Sequence, residues 1–189
     1  MYLFFDTETN GLPKNWKAPV ENLINWPRLV QIAWILADES GQVLEEKECI
    51  IKPEGFTIPK QASAVHGIST EKALDEGQDL SEILQLFANK LSDTQFLVAH
   101  NINFDEKIVG AELLRKKLET DFFKKETMCT MQSSTKHCNI PGPYGPKWPK
   151  LSELHINLFG EDFEGAHDAL ADIQATHRCF FEMRKLKLI

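Results

Sequence analysis

Two acidic residues directly follow a short apolar run near the N-terminus of the chain. The run Tyr2-Leu3-Phe4-Phe5 is typical of a buried strand, and Asp6 and Glu8 come next. Side chains on one face of a strand recur every second residue, so both carboxylates would point the same way. Paired carboxylates at a buried strand end repel each other and lose hydration, which indicates a compensating cation. Oxygen ligands favour Mg²⁺ or Mn²⁺ over Zn²⁺. A solvated strand exit, with Asn10-Gly11 as an ordinary turn, is the alternative.

Two further acids stand where an α/β sheet would bring them toward this pair. Asp105 comes shortly after an apolar run at 96–99, and Asp172 lies in the first turns of a predicted C-terminal helix. His167 precedes Asp172 by five residues, which is about 140° around a helix, so a continuous helix would separate them. We therefore expect His167 to lie just before the helix, with Asp168 as its N-cap.

The elements that must position these residues alternate between strands and helices. After the first strand, the segment 12–28 predicts a long loop, and the runs 29–37 and 43–52 predict two antiparallel strands. A strand at 96–99 precedes a helix at 104–118, and we predict further helices at 60–65, from Asp79 onward, at 151–159 and from 167 or 168 to about 185. The segment 139–149, rich in Pro and Gly, predicts a loop. This order predicts the α/β fold class.

Composition and charge are those of an ordinary globular protein. The chain has 189 residues, 42% hydrophobic and 26% charged, and we expect one domain spanning 1–189. The formal charge of −7 argues against broad electrostatic binding of nucleic acid but permits local basic patches. The four cysteines do not follow a zinc-site spacing, and free thiols are expected. Because no run reaches the roughly 20 apolar residues needed to cross a bilayer, we expect a cytoplasmic protein that does not contact membranes.

Three segments, taken in order, resemble the motifs of the DnaQ-like DEDDh superfamily of 3′→5′ exonucleases. They are Asp6-Thr7-Glu8, Asn103-Phe104-Asp105 and His167-Asp168-Ala169-Leu170-Ala171-Asp172. The segments Val65-His66-Gly67-Ile68 and Trp148-Pro149-Lys150-Leu151 are also similar to this superfamily. Within it, the chain most resembles the proofreading (epsilon) subunits of bacterial DNA polymerase III.

The resemblance implies an RNase H-like mixed sheet flanked by helices and a metal-dependent 3′→5′ exonuclease. Such an enzyme would release nucleoside 5′-monophosphates from single-stranded DNA ends, in proofreading or repair. It implies two divalent ions, Mg²⁺ or Mn²⁺, with Asp6, Glu8, Asp105 and Asp172 as ligands. It also implies that His167 is the general base, a role that an imidazole suits because it titrates near neutral pH.

Substrate contacts are expected from side chains around these motifs. Leu12, His66 and Phe104 could clamp or stack on the terminal base, because stacking tolerates any sequence. Asn101 and Thr9 could hydrogen-bond the terminal sugar or phosphate, and Thr7 is a further substrate-binding candidate. Plain core and turn roles are the alternative for these residues. Lys14, Lys17, Lys147 and Lys150 could form a basic rim or a scattered solvated surface.

Other functions stay open at this level. An exoribonuclease with the same chemistry is the nearest alternative, because no residue here indicates whether a 2′-hydroxyl is accepted. A non-catalytic nucleic-acid-binding module and a small-molecule phosphodiesterase are further alternatives. A polymerase partner and a homodimer are both open, as is the pathway.

Overall fold

The computed structural model describes residues 1–189 and contains one five-stranded sheet with helices on both faces. The strands of this sheet are β1 Tyr2–Thr9, β2 Leu29–Ala37, β3 Val43–Ile50, β4 Phe96–Ala99 and β5 Glu126–Cys129. The helices are α1 Lys60–His66, α2 Thr70–Glu76, α3 Leu80–Lys90, α4 Ile102–Arg115, α5 Thr130–Cys138, α6 Leu151–Phe159 and α7 Ala169–Lys185. The two-residue strands β6 Pro141–Gly142 and β7 Gly145–Pro146 form a separate hairpin. None of the helices combines the length and hydrophobicity that a membrane span requires.

The sheet is mixed, in the order β3-β2-β1-β4-β5. The pairs β1/β2 and β2/β3 are antiparallel, whereas β1/β4 and β4/β5 are parallel. Phe4 pairs with Val98, so β1 runs on past the end of β4 and carries Asp6 and Glu8 beyond it. The carboxyl ends of the three parallel strands therefore lie at one edge, next to the start of α4.

The two faces of β1 are buried against different helices. Leu3 and Phe5 belong to a core cluster with residues of α3 and α4, such as Phe87 and Ile108. Tyr2 and Phe4 face the other way and cluster with residues of α7, including Phe180. This two-sided burial explains why β1 begins with a continuous apolar run. By the same alternation, Asp6 and Glu8 lie on the α7 side of the sheet.

The predicted α/β class is confirmed, and most of the predicted elements occur with small shifts. Strand β3 ends at Ile50 instead of 52, and α4 spans Ile102–Arg115 instead of 104–118. Helix α4 begins earlier because Asn101, with φ of 80°, turns the chain directly from β4 into the helix. Asp79 caps α3 as expected, since its carboxylate accepts hydrogen bonds from Ser81 N and Glu82 N.

Several elements escaped the sequence prediction. Helix α2, strand β5 and helix α5 were not predicted, and the 139–149 loop contains the β6/β7 hairpin. Strand β5 is short, its first two residues are exposed, and its pairing with β4 defines it. The four cysteines are free as expected, three of them buried and Cys138 half-buried.

Candidate active site

Asp6 and Glu8 lie at the end of β1, paired across the sheet with Ala33 and Gln31 of β2. Both carboxylates are partly buried and project toward the start of α7. A register shift follows Glu8, where the strand ends and the long loop begins. Asn10 closes this loop, because its backbone N donates to Arg28 O at 3.0 Å and its side chain accepts from Arg28 N at 2.8 Å.

The first turn of α7 supplies Asp172 and the residues before it supply His167. Asp168 is the N-cap, and its carboxylate accepts from Leu170 N and Ala171 N, both at 3.1 Å. His167 lies outside the helix with φ of 72°, so the chain folds back toward Asp172. The backbone N of His167 donates to the two carboxylate oxygens of Asp172 at 3.4 and 3.3 Å. This arrangement matches the geometry expected from the five-residue spacing.

Asp105 approaches from the opposite face of β1, on the first turn of α4. It is buried, and its Oδ1 accepts hydrogen bonds from Thr7 Oγ1 at 2.7 Å and from Thr7 N at 3.1 Å. Thr7 points to the α4 side because it alternates with Asp6 and Glu8. The strand thus holds two acids on one face and fixes the third acid through the residue between them.

The four carboxyl groups perturb one another strongly. Desolvation, followed by the charge of Asp105, raises the pKa of Asp6 well above its ordinary value. Desolvation and then the charge of Asp172 raise the pKa of Glu8 to about 8. Desolvation raises the pKa of Asp105 to about 7, although hydrogen bonds to its carboxylate oppose the shift. The pKa of Asp172 is raised to about 6, again mainly by desolvation. The protein alone therefore opposes full ionisation of the cluster at neutral pH.

This donor set fits a divalent cation. Glu8, His167 and Asp172 each offer a ligand atom, and these atoms lie within 4.8 Å of one another. A cation there would offset the repulsion that raises the carboxyl pKa values. Carboxylate oxygens suit hard ions such as Mg²⁺ and Mn²⁺.

A cavity of about 370 Å³ opens beside Glu8. It lies between the loop after β1 and helix α1, and its walls include Leu12, Val65 and His66. Leu12 is 74% exposed, so its side chain is accessible to a ligand in the cavity. His66 is buried, its Nδ1 accepts from Ile68 N at 3.2 Å, and its Nε2 has no hydrogen-bond partner. Two of the three residues expected to clamp a base thus line one cavity next to the carboxylates.

The other predicted substrate residues are placed differently. Phe104 does not line this cavity, and its ring instead contacts that of Trp16 at 5.7 Å between centroids. Thr9 lines the cavity, but its hydroxyl donates to Gly11 O at 2.7 Å. The Thr7 hydroxyl is committed to Asp105, and Asn101 makes no side-chain cap at the start of α4.

The four predicted rim lysines are not equivalent. Lys147 is paired with Glu153 at 2.6 Å, whereas Lys14, Lys17 and Lys150 are exposed. Part of the predicted basic rim is therefore neutralised within the protein.

Three supporting residues were not anticipated from the sequence. Gln31, opposite Glu8, accepts from Ala169 N at 3.4 Å and donates to Glu48. Glu112, on α4, is fully buried and accepts from Arg28 Nε at 2.8 Å. His100 follows β4 and contacts Pro149 O. Two of these residues could have been found from the sequence, because each is a polar residue within an apolar stretch: Gln31 in β2 and Glu112 in α4.

Comparison with known proteins decides the family. The RNase_T exonuclease family model matches residues 3–180. The chain belongs to the RNase_T exonuclease family. This family assignment confirms the predicted DnaQ-like exonuclease and places the chain among the hydrolases.

The proteins similar to this RNase_T exonuclease include a polymerase subunit by sequence and exonuclease I structures by fold. The DNA polymerase III subunit epsilon of Treponema pallidum (strain Nichols) is 29% identical over 180 residues, which is 95% of this chain and 74% of that protein. Exonuclease I of E. coli in complex with a dA16 oligonucleotide has a TM-score of 0.75 at 20% identity, over 99% of this chain and 42% of that one. Exonuclease I of Methylocaldum szegediense has a TM-score of 0.76 at 22% identity, over 99% of this chain and 41% of that one. The chain thus spans about two fifths of these exonuclease I chains, and the likeness confirms the RNase H-like fold.

Proposed function

We propose that this protein is a metal-dependent 3′→5′ exonuclease that removes nucleoside 5′-monophosphates from the ends of single-stranded DNA. The observation that carries the proposal is the convergence of Asp6, Glu8, Asp105 and Asp172 beside the cavity lined by Leu12 and His66. Family membership supports the exonuclease reaction. The complex of an exonuclease I with a DNA oligonucleotide supports DNA as the substrate. We also infer that residues 1–189 form one exonuclease domain, because both helix layers cover the same sheet.

The four carboxylates would hold two divalent ions, Mg²⁺ or Mn²⁺. When bound, these ions would stabilise the charge on the attacking and leaving oxygens of the phosphodiester. Asp6 is central to this role, because its carboxyl group interacts with those of Glu8, Asp105 and Asp172. Thr7 would position Asp105 through its two hydrogen bonds.

His167 would be the general base. Its side chain is exposed, and its backbone is tied to Asp172, so the imidazole can face both solvent water and the carboxylates. A water oxygen would attack phosphorus while an imidazole nitrogen takes its proton. The bond from phosphorus to the 3′ oxygen of the preceding nucleotide would break, and this oxygen would take a proton from solvent. The products are a 5′-monophosphate and a chain one nucleotide shorter.

The cavity beside Glu8 would take the terminal nucleotide. Leu12 and Val65 supply apolar walls on which a base of any sequence can lie. In His66, Nδ1 accepts a hydrogen bond from Ile68 N, so the ring proton lies on Nε2. Nε2 has no partner within the protein and can donate to an oxygen of the nucleotide.

The decisive experiment uses matched single-stranded DNA and RNA oligonucleotides labelled at either end, with Mn²⁺ or with chelator. We expect metal-dependent release of mononucleotides from the 3′ end of DNA, and no release by the Asp6→Ala variant. Faster digestion of RNA would instead identify an exoribonuclease. Binding of either polymer without nucleotide release under any metal would contradict the proposal and favour a binding module.

A further inference from the structure

The β6/β7 hairpin carries the most exposed aromatic side chain of the molecule. Tyr144 lies at its tip and is fully exposed, and Trp148, just after β7, is 61% exposed. The segment Gly142–Trp148 encloses a shallow cavity of about 410 Å³. We call Pro141–Trp148 the aromatic hairpin. Two exposed rings so close in sequence need an explanation, because adjacent apolar side chains left in water often mark an interaction site.

The aromatic hairpin is held in a defined shape. Pro141 and Gly142 pair with Pro146 and Gly145, and Lys147 N donates to Ile140 O at 2.9 Å. Prolines fix φ at several of its positions, which removes conformational freedom before any ligand binds. Because the hairpin is already ordered, binding of a ligand to these rings would cost little conformational entropy.

The hairpin is attached to the edge of the sheet that carries the carboxylates. His100, the residue after β4, contacts Pro149 O through Nε2 at 3.1 Å and Thr130 Oγ1 through Nδ1 at 3.0 Å. Because a carbonyl oxygen only accepts, Nε2 carries the proton in this contact. Thr130 follows β5, so one side chain joins the ends of two parallel strands to the segment that follows the hairpin. The hairpin thus lies on the β4/β5 side of the site, whereas the Leu12 cavity lies on the β1 side.

The charge of this region contrasts with that of the whole chain. The chain has 28 acidic residues and a formal charge of −7, yet it has no Asp or Glu between Glu126 and Glu153. The same stretch contains Lys136, Lys147 and Lys150. Lys150 and Lys136 are exposed, and Lys147 forms a salt bridge with Glu153. An anionic ligand would meet less repulsion here than over most of the surface.

We propose that the aromatic hairpin binds the single-stranded chain upstream of the scissile phosphate, with bases stacked on Tyr144 and Trp148 and phosphates near Lys150. The proposal rests on the proposed function, since it assumes a polymer with its 3′ end at the carboxylates. Exposed aromatic rings combined with positive charge are the features that sequence-independent binding of single strands requires. A protein partner would also suit exposed aromatic residues, but the absence of acidic residues favours a polyanion.

The test compares a long oligothymidylate with the p-nitrophenyl ester of thymidine 5′-monophosphate, which has no upstream nucleotides. For Tyr144→Ala and for Trp148→Ala, we expect the ratio of kcat/KM on the oligonucleotide to kcat/KM on the ester to fall about tenfold. The loss should lie mainly in KM. Tyr144→Phe keeps the ring and should retain the ratio. Leu44→Ala, an exposed apolar residue on β3, is the matched control.

Two outcomes would overturn the proposal. An unchanged ratio in the Tyr144→Ala, Trp148→Ala double variant would mean that the rings serve another occupant, such as a protein partner. Equal losses on both substrates would mean that the hairpin only supports the site. Failure of the wild-type protein to cleave either substrate would instead contradict the proposed function, so the two failures are distinguishable.

Discussion

Thr7 donates two hydrogen bonds to one oxygen of Asp105, from its hydroxyl at 2.7 Å and its backbone N at 3.1 Å. The two residues are 98 positions apart in sequence. Both bonds favour the ionised carboxylate, and they oppose the desolvation that raises the pKa of Asp105 to about 7. Thr7 therefore limits the rise in the pKa of Asp105 and fixes the orientation of its carboxylate.

Replacing Thr7 with Val should weaken metal binding more than folding. The substitution removes the hydroxyl donor and keeps the backbone donor, so the pKa of Asp105 rises further. Loss of a residue that orients a ligand typically costs at least about tenfold in metal affinity, and we expect a comparable rise in the Mn²⁺ concentration for half-maximal activity. Titration of activity with Mn²⁺ measures this, with Thr7→Ser as the control that keeps the hydroxyl. An unchanged Mn²⁺ requirement would contradict a positioning role.

Replacing His167 with Ala should separate proton transfer from metal binding. We expect kcat to fall by about 10²–10⁴ and the affinity for Mn²⁺ to change far less, because the carboxylates remain. Kinetics combined with calorimetric titration of Mn²⁺ measure both quantities. His137→Ala, on the exposed face of α5, is the control. If turnover and affinity fell together, His167 would be a metal ligand, which its position near Glu8 and Asp172 also permits.

The metal-free protein should lose stability as the pH rises. The folded protein raises the pKa of Glu8 from 4.5 to about 8, so between these values it binds more protons than the unfolded chain. The free energy of unfolding then falls with increasing pH across this window. Thermal unfolding in chelator should therefore give a Tm that declines from acidic toward alkaline buffers, and less steeply in Glu8→Gln.

Metal should reverse this trend. Because cations bind the ionised carboxylates, Mn²⁺ should raise the Tm more near pH 8 than near pH 5, values that are about the ends of the titration window. An equal rise at both pH values would show that the ion binds away from the cluster.

Replacing Glu112 with Ala should destabilise the fold. Glu112 is fully buried, and its Oε1 accepts from Arg28 Nε at 2.8 Å and from Leu29 N at 3.1 Å. The same oxygen lies 2.9 Å from Arg115 Nη1, so the substitution removes the buried carboxylate that both arginines share and leaves Arg115 without an acidic partner, whereas Arg28 keeps Glu54 at 3.6 Å. We expect the free energy of unfolding to fall by about 3 kcal/mol, measured by urea denaturation. Glu119→Ala, exposed beyond the end of α4, should change it by less than about 0.5 kcal/mol.

Local patterns were enough for much of the fold. The predicted bounds of β2, β4 and α6 agree with the structure, because each is a continuous apolar run or an amphipathic stripe with a clear stop. The N-cap role of Asp168 also followed from spacing, since a helix cannot hold His167 and Asp172 on one face. By contrast, β5 and α5 have weak local signals, and contacts with β4 and α6 define them.

Local sequence patterns predicted that Asp6 and Glu8 share one face of a strand and that His167 precedes the helix carrying Asp172, because strand alternation and helix spacing act over a few residues. Three contacts follow from tertiary packing alone: Thr7 bonds Asp105, Phe104 packs on Trp16 outside the Leu12 cavity, and His100 joins two strand ends to the segment after the aromatic hairpin. These contacts link residues far apart in the chain. No local periodicity encodes them, since they depend on how whole elements pack against one another.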